Sequence, residues 1–563
     1  MRAGLQPDER SGLPDAVVAL LRRALDLLGS PPHPRASSLA ITLCQRALAE
    51  TGYLPTVSSV LARALHVHGR SEDAVAVCGR ALALHPEAVE LRLEQLLHTI
   101  PVFYREPRQV ELAREAYTAR LGALERHLST APSEELARLF RRARFLSPYW
   151  LPYQGLVDAS LYRRLGALVH RARLAAHPDD GGEPAMHGLS GALRVGFVSN
   201  HFHSHTTWHV VIRGWIAGLR ARGFACHGYS LGTFADTCTD DARRDCVRFL
   251  HGERPFREWC EAIRADRLHA LIFPGLAFSP TLDRLAHMRL APVQCVSFAY
   301  CDTSGSPNMD YFLSSGLMEP GGGDAHYTEQ LVRLPDLAFS YPGARVDPSA
   351  RGREHPGIRH GTVLYLSPHL PRKYLPQHDD LYARIAAGVP ESQVVFVRDP
   401  RVEAVSRLLE RRLRGAFEAR GVDPARHLVF LDRLDREDYE SLLVSADAYL
   451  DVPGWNGGTM TAEALVRNLP VVTIEGAIAR SRMGAAMLRH LDVTDTIAFT
   501  ADDYVRLAIR LGHDVAWRES LRRRLAVTSH RVHDDTARVD GLAAFLERAI
   551  HHAAGAGSSS VPR

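Results

Sequence analysis

Small and apolar residues recur every three or four positions through the first hundred residues, a spacing that predicts stacked amphipathic helices. One string, A-x-x-x-C-x-R-A-L-A, occurs twice: Ala40, Cys44, Ala47 and Leu48 return 34 residues later as Ala74, Cys78, Ala81 and Leu82. Helical periodicity continues over Glu111–Leu128 and Ser133–Phe145, is interrupted by Ser147-Pro-Tyr-Trp-Leu-Pro-Tyr153, and gives way to a Gly-, Pro- and Asp-containing linker at Pro178–Gly191. From Leu193 the texture changes. Short β-rich runs alternate with helix-length segments: LRVGFVS (193–199), ACHGYSLG (225–232), HALIFPG (269–275), PVQCVSFAY (292–300) and MDYFLSS (309–315). After a loop-rich break near Tyr341–Gly361 the alternation restarts with TVLYLSP (362–368), QVVFVRD (393–399), HLVFLDRL (427–434), DAYLDVPG (447–454) and LPVVTIEG (469–476). Strands separated by helices predict βαβ units and mainly parallel sheets, with ligands at the carboxyl ends of the strands.

A 34-residue period with small residues at fixed offsets is the tetratricopeptide spacing, in which Ala lets neighbouring helices approach closely. Pro86 falls where the second helix of such a repeat ends; a generic Ala/Leu-rich helical hairpin is the alternative. About two repeats are visible, fewer than the roughly three that a free-standing array needs, so these helices are expected to pack on the downstream part of the chain. The expected division is helical repeats over 1–105, a helical connector and linker over 106–190, a first Rossmann-like domain over 191–345, a second over 346–550, and a disordered tail over 551–563.

Composition narrows the class. At 563 residues the chain is long enough for several domains, and 46% apolar with 23% charged residues is ordinary for a globular protein. The net charge of +4 gives no argument for nucleic acid or a membrane surface as partner. No run approaches the length of a spanning helix and Met1–Gly12 is polar, so a cytoplasmic protein is expected. The eight cysteines include no C-x-x-C pair and read as reduced thiols. Arg supplies the basic count with a single exception, Lys373.

Three places carry candidate chemistry. In Asp451-Val-Pro-Gly-Trp-Asn-Gly457-Gly458-Thr459-Met460-Thr461-Ala-Glu463 a strand ends, a glycine-rich turn follows and a helix opens, which aims backbone N–H groups and a positive helix end at one point. A capping box from Thr459 would put its acid at position 462, which is Ala, so helix capping does not account for Glu463. Lys373 follows a predicted strand with Arg372 beside it; a merely solvated cation needs no Lys, whereas a compact ammonium suits a diphosphate. His205 stands in Asn200-His-Phe-His-Ser-His-Thr-Thr-Trp-His209, the loop leaving the first strand of the first sheet. The histidine spacings there match no standard zinc site and no Cys or acid lies nearby, so no metal is expected.

The segments LRVGFVSNHFHSHTTWH, RLAPVQCVSFAYCDTSGSPNMDYFLSS, HYTEQLVRLPD, KYLPQHDDLY and DAYLDVPGWNGGTMTAEAL followed by LPVVT, in this order, resemble the O-GlcNAc transferase and SPINDLY-like protein glycosyltransferases, particularly bacterial members. The likeness runs from about Arg105 to Leu546, and the tetratricopeptide-like start fits it. It implies a GT-B catalytic region of two Rossmann-like domains, a nucleotide-sugar donor held between them, and inversion without a metal or other cofactor. By position, Lys373 matches the family's lysine on the donor diphosphate and His205 the histidine beside the sugar and acceptor. His369 matches a residue four before that lysine, Thr303 and Ser304 the T-S-G loop near the sugar, Arg436 and Tyr439 contacts to the base, and Glu463 the acid on the ribose. The eukaryotic enzymes have His-Thr-Thr where this chain has Gly458-Thr459-Met460, and His in place of Tyr439, and SPINDLY-type relatives use GDP-fucose, so the donor stays open between UDP-GlcNAc and another UDP- or GDP-sugar.

The resemblance thus implies transfer to a protein side chain, Ser or Thr, with Lys373 and His205 as catalytic groups and a polypeptide acceptor held by the helical N-terminal region. Transfer to Asn or a small molecule, and a non-catalytic helical-repeat adaptor with a decayed GT-B region, are the alternatives.

Overall fold

A computed structural model describes residues 12–29, 36–178, 184–300, 302–341, 343, 346–533 and 537–558. The chain forms two compact units, neither continuous in sequence: one takes its residues from Met1–Ala123, Tyr153–Leu156 and Gly343–Val532, the other from Leu124–Pro152, Val157–Pro342 and His533–Arg563.

The second unit is built on seven strands: β1 (Arg194–Ser199), β2 (Ala225–Ser230), β3 (Arg248–His251), β4 (Ala270–Phe273), β5 (Val293–Ser297), β6 (Tyr311–Ser315) and β7 (Gln330–Leu334). They lie in the order β3-β2-β1-β4-β5-β6-β7, all parallel. Central strands buried on both faces read as continuous apolar runs, as β4 does; β5 is wholly buried too, with Gln294 held inside by hydrogen bonds to the Met288 and Asn308 carbonyls. The edge strands β3 and β7 mix exposed and buried positions and were not expected. Ser199 stands opposite Ser230, so the loops leaving β1 and β2 emerge side by side.

Helix Ala159–Ala176 crosses the loop after β5 at two glycines. A Cβ on Gly166 would lie 1.7 Å from the Gly305 carbonyl oxygen, and one on Gly305, whose φ is +71°, would lie 2.3 Å from the Tyr162 carbonyl oxygen. Only glycine permits this approach, and it fixes the backbone just after Thr303-Ser304. The sequence boundary at 550 is corrected here. Helix Ala537–Ser558 belongs to the seven-stranded unit, where Phe545 meets Tyr311 edge to face at 5.0 Å and Arg538, 2% exposed, donates to the Phe339 carbonyl. The expected tail from 551 is helical as far as Ser558, in keeping with the strong helix propensity of its alanines; 559–563 lie outside the described residues.

The first unit holds β8 (Val363–Leu366), β9 (Ser392–Val397), β10 (Leu428–Leu431), β11 (Ala448–Leu450), β12 (Val471–Ile474) and β13 (Ile497–Ala498), in the order β10-β9-β8-β11-β12-β13. Its N-terminal helices are Asp15–Gly29, Ala36–Thr51, Pro55–Val67, Ser71–Leu84 and Val89–His98. Ala40, Cys44 and Ala47 and their repeat partners Ala74, Cys78 and Ala81 are all fully buried, so the repeated string marks the repeated packing face. These helices lead into a segment gripped by helix Glu403–Ala419: Arg412 stacks on Phe103 at 4.6 Å, donates to the Tyr104 carbonyl, and pairs with Asp379 at 2.5 Å. Among the described residues no helix is long and apolar enough to cross a membrane.

Candidate functional site

In the first unit, β11 ends at Leu450, and the chain turns through Asp451–Gly458 into helix Thr459–Val466. The carboxylate of Asp451 organises this turn from inside. It accepts the N–H groups of Val452 at 3.0 Å and Gly457 at 2.7 Å, and the Thr473 hydroxyl at 3.0 Å. Asn456, fully buried, donates to the Val452 carbonyl at 3.0 Å, and its own N–H reaches the Arg480 carbonyl at 2.9 Å. Gly457 is required sterically, since a Cβ there would come within 2.6 Å of both His369 Cε1 and Thr461 Oγ1. No side chain caps helix Thr459–Val466 at Gly458, so its first N–H groups are presented by backbone alone.

Lys373 ends a short 3₁₀ turn, Pro371–Lys373, after β8. Its ammonium donates to the Asn456 carbonyl at 2.9 Å and lies 5.3 Å from the centre of the Trp455 ring. Trp455 in turn packs on Tyr153 at 4.3 Å, and Arg372 donates to the Tyr153 hydroxyl at 3.2 Å. The structure thus brings Lys373 onto the turn that carries Gly457, Gly458, Thr459 and Met460, 83 residues further along. His369 lies beneath the same turn, its Nε2 at 3.1 Å from the Tyr449 hydroxyl and 3.4 Å from Asp451. Burial, then the nearby Lys373 charge, hold its pKa well below the usual imidazole range, with only the Leu450 carbonyl opposing them. Burial pushes the Asp451 carboxyl up to about 6, against the pull of its hydrogen bonds and of Lys373.

One turn along, Glu463 accepts from Arg436 at 2.6 Å. Arg436 also pairs with the buried Glu440, which Arg467 clamps at 2.6 Å, and its guanidinium lies 5.8 Å from the Tyr439 ring centre. Arg436, Tyr439 and Glu463 therefore form one cluster.

In the second unit, His205 sits in the loop after β1. Its Nδ1 accepts the Thr207 N–H at 3.1 Å, and its ring stacks on His201 at 3.7 Å, 8° from parallel. Burial, then His203 and His209, lower its pKa to about 4. A neutral ring with Nδ1 accepting carries its proton on Nε2, where it is a donor. Asp236 ties this loop to the one after β2, accepting the Ser204 N–H at 2.8 Å while capping helix Thr237–Asp245. Thr303 and Ser304 are buried with Glu329: the Thr303 hydroxyl donates to its Oε2 at 2.6 Å, and the Ser304 N–H and hydroxyl both reach Oε1. Their hydroxyls serve to hold the loop. Sequence reasoning did not single out Glu329, although it stands within the HYTEQLVRLPD segment, and saw Asp451 only as a strand end. Among the described residues no three His, Cys, Asp or Glu side chains converge as metal ligands.

Glycosyl transferase family 41 matches residues 172–342 and 350–537. The chain belongs to that family. The probable UDP-N-acetylglucosamine–peptide N-acetylglucosaminyltransferase SPINDLY of Petunia hybrida is 28% identical over 267 residues, 46% of this chain and 27% of the relative. The Arabidopsis thaliana protein of the same name is 28% identical over 262 residues, 46% and 28% of the two chains. The chain thus spans little more than a quarter of the length of these relatives. A Thermobaculum terrenum O-GlcNAc transferase mutant of known structure superposes with a TM-score of 0.68, covering 97% of this chain and 99% of that one at 23% identity. That likeness is one of fold, a helical N-terminal region followed by two Rossmann-like domains of the GT-B type.

Proposed function

We propose that the chain is an inverting, metal-independent glycosyltransferase that moves a sugar from a UDP- or GDP-sugar to a protein side chain, Ser or Thr. Family membership supports the reaction class, and the names of the relatives support a peptide acceptor. The observation that carries the reading is Lys373, the single lysine, seated on the carbonyl of Asn456 at the mouth of an uncapped helix. An acceptor hydroxyl oxygen forms a bond to the anomeric carbon while the bond to the diphosphate breaks, and the hydroxyl proton passes to the departing diphosphate or to solvent. The leaving diphosphate gains charge, which a fixed ammonium and backbone N–H groups stabilise more strongly than they do the donor itself. Glu463 and Arg436, with Tyr439, would hold ribose and base. His205, neutral with its proton on Nε2, would orient sugar or acceptor as a hydrogen-bond donor; in this tautomer it is not the base.

The N-terminal helices share a compact unit with the six-stranded sheet. That packing favours a second reading, in which they brace the nucleotide-binding domain and the acceptor is a small molecule. Intact-mass measurement of candidate acceptor proteins co-expressed with the enzyme, and then incubated with a panel of UDP- and GDP-sugars, tests both. A mass increase of one sugar that is lost in Lys373→Ala supports protein transfer. Donor consumption with no protein gaining mass favours the second reading.

A further inference from the structure

The aromatic stretch Ser147-Pro-Tyr-Trp-Leu-Pro-Tyr153 interrupts the helical connector, and Tyr153–Leu156 at its end count with the six-stranded unit, although the chain on either side counts with the seven-stranded one. The reason is a set of ties to that unit in different directions. Gln154 is buried; it donates to the Tyr104 hydroxyl at 2.9 Å and the Val110 carbonyl at 3.3 Å, and accepts from Arg114 at 3.2 Å. These partners lie in and just before helix Arg108–Ser129, so Gln154 fastens the segment to the helical part of the unit. The Leu156 carbonyl accepts from Arg480 at 2.5 Å, and the carbonyl of Arg480 accepts the Asn456 N–H at 2.9 Å. Asn456 is the residue whose own carbonyl holds Lys373.

Tyr153 reaches the same lysine by a second route, through rings. Arg372, Tyr153, Trp455 and Lys373 stand in a ladder. The Arg372 guanidinium is 5.7 Å from the centre of the Tyr153 ring, the two rings are 4.3 Å apart and 32° from parallel, and the Lys373 ammonium is 5.3 Å from the centre of the Trp455 ring. Cations and ring faces attract, and paired rings add to the area they bury. Tyr153 is buried whereas Trp455 is partly exposed, so the tyrosine supplies the fixed surface on which the indole rests. Among the influences that place the ammonium are the Asn456 carbonyl, the Trp455 ring and the charge of Asp451. The segment Tyr153–Leu156 acts on the first through Arg480 and on the second through Tyr153. Resting on the reading of Lys373 as the group that meets the donor diphosphate, we propose that Tyr153 is a positioning residue of the donor site, holding Trp455 and through it Lys373. The connector then shares with the nucleotide-binding domain the task of setting where the ammonium stands, a placement on which electrostatic catalysis depends steeply.

Lys373 is the single lysine, so its placement can be measured without knowing the acceptor. The rate at which an amine-acylating reagent modifies Lys373, read by peptide mapping against the N-terminal amine of the same sample, reports how firmly the ammonium is held. The free amine is the form that attacks, and both the ring and the carbonyl favour the ammonium. Tyr153→Leu keeps an apolar side chain and removes the ring. In this variant the ratio should rise about three- to tenfold, and calorimetric titration of the full chain with UDP and with GDP should show affinity lowered about three- to tenfold. Tyr153→Phe keeps the ring and should stay within about twofold of wild type in both readings. A folded Tyr153→Leu with the wild-type ratio and affinity, even at a lower melting temperature, would overturn the proposal, and so would equal changes in the Leu and Phe variants. Should Tyr153→Leu not fold, Trp455→Leu breaks the next rung of the ladder and is judged by the same two readings. If neither nucleotide binds wild type, the nucleotide-site reading falls by itself, while the acylation ratio still decides whether Tyr153 places Lys373.

Discussion

Gly457→Ala isolates the steric logic of the turn, because Gly457 is not among the residues with positive φ and the substitution therefore adds a methyl group without backbone strain. That methyl would stand 2.6 Å from His369 Cε1 and 2.6 Å from Thr461 Oγ1, where ordinary contact begins near 3.4 Å. Both neighbours are essentially fully buried, so neither side chain has solvent to swing into, and the turn itself must move by most of an ångström. Such overpacking costs about 1–3 kcal/mol, and the movement also stretches the 2.7 Å bond from the Gly457 N–H to Asp451. Gly458→Ala is the control. Its methyl would meet only Met483 Sδ at 3.6 Å, an ordinary contact, and replacing an N-cap glycine by alanine costs at most about 1 kcal/mol. Scanning calorimetry should show the six-stranded unit melting several degrees lower in Gly457→Ala than in Gly458→Ala. Titration with UDP and GDP should show nucleotide affinity reduced about tenfold or more in Gly457→Ala and within about threefold of wild type in Gly458→Ala. Equal effects of the two substitutions would refute the argument that the packing of His369 and Thr461 shapes this turn.

Lys373→Ala should reduce turnover by about two to three powers of ten, with incomplete rescue by Arg, whose planar fork places its charge differently; steady-state kinetics with the cognate donor checks this. Because Lys373 is the single lysine, an amine-acylating reagent followed by peptide mapping reports on it against the N-terminal amine, and saturating nucleotide should protect Lys373 alone; equal labelling with and without nucleotide would remove it from the site. Glu463→Ala should weaken nucleotide binding by about 1.5–3 kcal/mol yet leave the fold intact, since Arg436 keeps its pairing with Glu440; unchanged affinity by titration would dissociate Glu463 from the ribose. His205 has its folded-state pKa lowered to about 4 from an ordinary 6.5, so the unfolded chain binds more protons between these values. Its contribution to stability is present above pH 6.5 and is lost as pH falls towards 4. Urea unfolding at pH 7 and pH 5 should therefore show a smaller loss on acidification in His205→Gln than in wild type, and an identical loss would count against a neutral, stacked His205.

The strands that sequence revealed most clearly are the central ones, because burial on both faces demands largely apolar runs such as those of β1, β4 and β9. The edges β3 and β7 and the two-residue β13 carry no such signature. The glycine-rich turn and Lys373 were legible as separate oddities, one of pattern and one of composition, but their meeting depends on long-range packing that spacing does not encode. Arg436 and Tyr439 came through resemblance and Glu463 also from the pattern of the turn, and the ion pair of Arg436 with Glu463 appeared only in three dimensions. Glu329 stands inside the HYTEQLVRLPD segment, but nothing in sequence marks it as a buried acid that serves three hydroxyls and an N–H. The home of the last helix was likewise hidden, because the amphipathic pattern of Ala537–Ser558 says that it must pack and is silent on where.

That helix has a consequence for how the protein is made. Gly218 and Gly541 mark its seat: a methyl on the first would strike Val539, and one on the second would strike Pro335. The seat is synthesised by residue 335, but the piece that fills it leaves the ribosome only after the whole six-stranded sheet, roughly 200 residues later, or about 10–40 s at ordinary translation speed. Throughout that interval the earlier domain waits with one wall open while the later one can already close. The unit whose sheet is made last is the first able to finish, and a ribosome that stalls or terminates short of Ala537 releases a chain whose defect lies far upstream of the break.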